Sequence, residues 1–277
     1  MPIFSRDEGT PARDPGALRL MMPFLMRGRN ESAVYYTQRL DVGPTLAWIE
    51  AQRAEGREVS FFPVVLAAFV RTLALRPKMN RFVSGRRLYD RRGISLAFAV
   101  KKRMEDDAGL STVKVFFEPA DTLADVAGRV REAVHGGRSD AKSTSEKEMA
   151  VVTRLPGPMI ALLMWAQRLL DGWNLLPAAM IRADPLYSSL FCANLGSIGL
   201  QAPFHHLYEY GTVPLFAVIG AIHKAAWVDE DGETSIRDVV EIKWTFDERI
   251  ADGFYCVRGI QLIGELLADP SSLDTPP

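Results

Sequence analysis

Hydrophobic and polar positions alternate between two periods along this chain. The run Val34–Val42 (VYYTQRLDV) is rich in Tyr and Val, residues that favour strands, and Gly43-Pro44 breaks it. Thr45–Glu55 follows with helical spacing through Leu46, Ile49 and Ala54. Phe62–Leu75 reads as a strongly apolar helix, closed by Pro77 just beyond Arg76. Phe82–Val83 and Arg87–Tyr89 flank Ser84-Gly85 as a hairpin, and Ile94–Lys101 and Val113–Phe117 read as further strands. Asp121–Val134 is an amphipathic helix with an acidic start, and the polar stretch Gly136–Lys147 is a surface loop. Strands at Ser188–Ala193, Val213–Ile219 and Val239–Phe246 precede a last helix at Asp252–Leu267. This order lacks regular βαβα alternation, which predicts an α/β two-layer sandwich on a mixed sheet.

Two segments depart from the pattern. Residues 1–20 begin MPIFSRDEGTPARDPG, too polar and proline-containing for a signal peptide, and predict a flexible arm ahead of a single domain over 21–277. Leu155–Ile181 is the most apolar stretch, but Gln167, Arg168 and Asp171 interrupt it. A spanning helix needs about 20 largely uncharged residues, so this segment predicts a buried or partner-facing helical hairpin. Contact with a membrane surface ranks behind that reading.

Composition narrows the function classes. A formal net charge of -1 gives no electrostatic reason to expect nucleic acid. The only cysteines, Cys192 and Cys256, show no metal-ligand spacing and suit reduced thiols in a cytoplasmic protein. Neither a metal nor a covalently bound cofactor is expected.

The sharpest anomaly is Asp247-Glu248-Arg249, three charged residues between a buried strand and a helix that must pack on it. Charge at such a place is costly unless paired or used. The triplet is therefore either a solvated turn or a site.

Four motifs in order bear on the choice. Pro77–Phe82 (PKMNRF), Asn194–Gly199 (NLGSIG), Val213–Gly220 (VPLFAVIG) and Asp247–Gly253 (DERIADG) resemble successive segments of the 2-oxoacid dehydrogenase acyltransferase catalytic domain. The last resembles that family's Asp-His-Arg-x-x-Asp-Gly signature. The same superfamily includes chloramphenicol acetyltransferase. The chain shows no lipoyl domain or Ala/Pro-rich linker, so it reads as a free-standing, divergent member.

The resemblance implies a chloramphenicol acetyltransferase-like fold and a homotrimer with active sites between subunits. It also implies acyl transfer with coenzyme A or another acyl thioester as substrate. In that chemistry a histidine takes the proton of the attacking group and a hydroxyl helps hold the oxyanion. Position by position, the histidine falls on Glu248 and the hydroxyl on Ala193. Arg249, Asp252 and Gly253 agree with the signature. Glu248, Arg249 and Asp252 are thus the catalytic candidates, and Asn194, Gly196, His205 and His206 the substrate-binding ones. An ordinary glutamate is a weaker base than histidine by ~2.2 pKa units, about 3 kcal/mol, although burial raises a carboxyl pKa. The alternative is a non-catalytic trimeric binding or assembly module, a pseudoenzyme.

Overall fold

The computed structural model describes residues 6–13, 15–101, 110–138, 152–229 and 231–277. Its main sheet runs in the order β2(Ala33–Asp41)-β10(Thr234–Asp247)-β8(Leu215–Ile219)-β7(Leu190–Asn194)-β5(Ile94–Lys101)-β6(Leu110–Phe117). β9(His223–Val228) pairs with the first half of β10. β5–β7 and β7–β8 are parallel and the other pairs antiparallel, so the sheet is mixed as expected.

Alternation along the strands builds two unlike faces. Leu215, Ala217 and Ile219 of β8, with Ile242, Trp244 and Phe246 of β10, enter the main core. Helices α3(Phe61–Leu75), α4(Leu123–Arg138) and α7(Gly253–Ala268) cover this face. Phe216 and Val218 point the other way, into a smaller cluster with Phe191, Ala202 and Leu207. The core side is tied by a buried relay. Trp244 Nε1 donates to Gln38 Oε1 at 3.0 Å, and Gln38 Nε2 donates to the carbonyl of Ile260 at 2.7 Å, linking β10, β2 and α7.

Several expectations need correction. Residues 6–13 do not stand off the domain as an arm. β1(Gly9–Pro11) pairs with β4(Arg87–Arg91), which pairs with β3(Phe82–Ser84) in a second small sheet. Arg6 is buried between Glu8 and Asp171, at 2.7 and 2.8 Å, and Glu8 also pairs with Arg91. Apart from Arg6–Glu8, these pairings join residues far apart in sequence and are invisible to local pattern. A helix, α1(Ala17–Leu25), follows. Helix α4 extends to Arg138, and the rest of the loop expected at Gly136–Lys147 lies outside the described residues. The apolar segment does form helices, α5(Gly157–Gly172) and α6(Ala178–Ala183), but α5 buries none of its residues. No helix among the described residues is long and apolar enough to cross a membrane.

Candidate active site

The charged triplet ends β10, where the chain must turn sharply into α7. Asp247 and Arg249 solve the burial problem by pairing with each other. Arg249 donates through Nε to Asp247 Oδ1 at 2.8 Å and through Nη2 to Oδ2 at 2.7 Å, with both side chains buried. Asp247 Oδ1 also accepts from the Ser32 hydroxyl and the Arg249 backbone N–H, each at 3.0 Å. The remaining nitrogen of Arg249, Nη1, donates to the carbonyls of Met26 and Arg27 at 3.2 Å. Such saturation is what makes a buried ion pair tolerable. Asp252 then caps α7, accepting the Tyr255 N–H at 2.8 Å. Two of the three catalytic candidates, Arg249 and Asp252, therefore hold the turn.

Glu248 is held by its backbone alone. Its N–H donates to the Ser32 carbonyl at 2.9 Å, and its carbonyl accepts from Arg19 of α1. Its half-buried side chain has no hydrogen-bond or ion-pair partner among the described residues. Arg249, turned into Asp247, is committed elsewhere. The carboxylate stands on the turn with its charge unpaired among the described residues.

The substrate-binding candidates lie elsewhere on the sheet. Asn194 caps the 3₁₀ turn Leu195–Ile198, accepting the Ser197 N–H at 3.3 Å. Gly196 is required there because a Cβ would meet the Gly220 carbonyl oxygen at 2.5 Å. Ala193 is level with Val218, and Val218 with Lys243. Glu248 follows the end of β10, five residues beyond Lys243, about 17 Å at the rise of a strand. One chain thus sets Glu248 and the Ala193–Gly196 segment toward opposite ends of the sheet.

His205 stacks on Phe216, ring centroids 4.0 Å apart, and on His206 at 4.5 Å, on the outer sheet face. Burial holds the His205 imidazole below its ordinary pKa. The hydroxyl of Ser189 is occupied by the Ser95 N–H at 3.0 Å, and Ser188 is buried. Both thiols are buried and pushed up by desolvation, Cys256 to about 12, which suits inert packing.

Beside the turn lies a cavity of about 410 Å³ that Arg249 lines and Glu248 does not. Its walls carry Arg27, Arg29, Arg86 and Arg168 against the carboxylates of Asp171 and Glu209. Arg29 is buried, yet its guanidinium donates only to carbonyls, those of Val83, Tyr208 and Glu209. Burial draws its pKa down, with Asp247 opposing. Desolvation raises the carboxyl of Asp171 despite its pairing with Arg6. Apart from Arg249, no sequence signal marked this cavity, because its other walls come from residues 23–29, 83–86, 168–172, 187 and 209–211.

The fold and a C-terminal stretch of the sequence have counterparts among known proteins. Residues 187–274 match the family model of the 2-oxoacid dehydrogenases acyltransferase (catalytic domain). A search of the curated proteins finds no match. Among solved structures, the chain is similar to dihydrolipoamide acetyltransferase from Azotobacter vinelandii, at 18% identity over 94% of this chain and 89% of that one, TM-score 0.60. A truncated catalytic core of the 2-oxoacid dehydrogenase multienzyme complex from Thermoplasma acidophilum aligns at 14% over 92% and 96%, TM-score 0.58. A chloramphenicol acetyltransferase aligns at 13% over 94% and 99%, also 0.58. The sequence match spans three of the four motifs, Asn194–Gly199, Val213–Gly220 and Asp247–Gly253, and the likeness in fold extends over more than nine-tenths of the chain.

Proposed function

We propose that this protein transfers acyl groups between thioesters, with Glu248 as the base and coenzyme A or another acyl thioester as substrate. The observation that carries the proposal is the unspent carboxylate of Glu248 on a turn whose other charges are fully engaged. In the reaction Glu248 takes the S–H proton of the acceptor thiol. The sulfur attacks the thioester carbonyl, and collapse of the tetrahedral intermediate expels the donor thiolate, which takes the proton back. Histidine normally fills this role in the family the chain resembles. Here the carboxylate needs a drier site to work as well, because an ordinary Glu titrates near 4.3 and a thiol near ~8.5.

The separation of about 17 Å between Glu248 and the Ala193 segment supports a site shared between copies. A homotrimer supplies one half-site from each neighbour. With Ala193 in place of a hydroxyl, oxyanion stabilisation falls to other donors, and losing one such donor costs ~3 kcal/mol.

Glu248→Gln keeps the size of the side chain and removes the base. Acyl transfer between coenzyme A and a dithiol should fall by about 10²–10⁴-fold with the fold intact by circular dichroism. An unchanged rate removes Glu248 from the mechanism. Glu248→His with Ala193→Ser should raise transfer. If neither protein transfers acyl groups and calorimetry shows no coenzyme A binding, the non-catalytic module replaces this reading.

A further inference from the structure

Helix α5 is inside out. Its polar residues Gln167 and Asp171 face the protein, donating to Tyr210 and accepting from Arg6. Its apolar residues Met159, Leu162, Leu163, Leu169 and Leu170 share the outward side with Trp173 just past its end, Leu162 63% and Trp173 60% exposed. Helix α1 borders the same cavity through Pro23 and likewise turns Leu18, Met21 and Leu25 outward, Leu18 at 71%. An apolar stripe of this size on two neighbouring helices marks a docking surface.

Charge decides what docks. Between the helices open Arg27, Arg86 and Arg168, all exposed and without an ion-pair partner among the described residues. Arg86 sits at φ 61 in the β3–β4 turn, with its guanidinium 6.0 Å from the Phe24 ring of α1. That turn is fixed against α5, where a Cβ on Gly85 would meet the Gly172 carbonyl oxygen at 2.1 Å. Helix α1 contains no acidic residue, and the one in α5, Asp171, is paired with Arg6. The buried Arg29 adds positive charge to the cavity floor with no carboxylate bonded to its guanidinium.

We propose that this face docks on the surface of an anionic phospholipid bilayer. The α1 and α5 stripes enter the acyl boundary and the arginine-lined cavity receives headgroup phosphates. Leucine and tryptophan side chains with flanking arginines are the composition of interfacial helices, and neither helix spans. A two-fold contact of the face with a second copy would instead oppose the same unpaired arginines. The inference does not depend on acyl transfer.

Flotation with vesicles of phosphatidylcholine alone, and with about a third of the lipid replaced by phosphatidylglycerol, tests it. Binding is expected only to the anionic vesicles, and should be reversed near 1 M salt, where the Debye length is about 3 Å. Leu162→Asp with Leu169→Asp, and separately Arg86→Gln with Arg168→Gln, should each weaken binding at least about tenfold. All four side chains are exposed, so the fold is preserved. The proposal is overturned if neither vesicle is bound, or if neutral vesicles bind as well and the arginine pair is silent. It is also overturned if the leucine pair disperses an oligomer in the absence of lipid while the wild type ignores vesicles; a second copy then covers the face.

Discussion

Helices α5 and α7 are each 16 residues long, and both are apolar. Yet α7 buries Cys256, Gly259, Ile260, Ile263, Leu266 and Leu267 against the sheet, while α5 buries nothing. The difference lies in what each helix does with its charges. Asp252 is spent at the N-terminus of α7 as its cap, which leaves the apolar side free to meet α3 and β2. Asp171 sits near the end of α5 and is drawn inward by Arg6, so the helix is anchored by its polar side. A buried ion pair can thus set a helix's orientation against its hydropathy.

The largest expected effect is in the core. Ile260→Ala should lower the unfolding free energy by about 2–5 kcal/mol, whereas Leu162→Ala on α5 should stay within about 0.5 kcal/mol. Urea denaturation followed by fluorescence measures both. Equal costs would mean that α5 is packed in the free protein and would dissolve the contrast.

A smaller difference belongs to the caps. Asp252→Ala should cost about 1 kcal/mol, because the Tyr255 N–H loses its acceptor. At α5 the corresponding position is Pro156, which makes no side-chain cap, so Pro156→Ala should cost less. Matched thermal melts of the two variants decide this.

The outer face of the sheet is intermediate, and the smallest effect is expected there. His205 has its pKa lowered by burial in the folded chain, so the unfolded chain binds more protons just below the ordinary histidine value near ~6.5. Stability should therefore fall as pH drops from about 6.5 toward the lower folded pKa, then cease to change from this source. His205→Phe, which keeps the stack on Phe216, should remove that part of the pH dependence. A melting profile with the same slope in both proteins would assign the dependence to other groups.

Much of the fold was legible because alternation and turn residues are local signals. The strand expected at Val239–Phe246 is the buried half of β10, and the helix expected from Asp252 is α7. β9 and β1 were missed. β9 is a short ribbon with alternating exposure, and β1 is a three-residue strand that pairs with β4, far along the chain. The candidate site was legible as a place. The roles within it were not, since which of the two carboxylates, Asp247 or Glu248, pairs with Arg249 depends on what faces each and not on residue type.

The sequence by itself determined the order of most elements and the resemblance of DERIADG and NLGSIG to segments of an acyltransferase family. Only the tertiary structure decided that Arg249 closes on Asp247 and leaves Glu248 unpaired among the described residues, and that α5 turns its leucines outward. The physical reason is that hydropathy and propensity act within a turn or two of chain. The pairing of buried charge is set instead by residues such as Arg6 and Asp171, which only the folded chain brings to 2.8 Å.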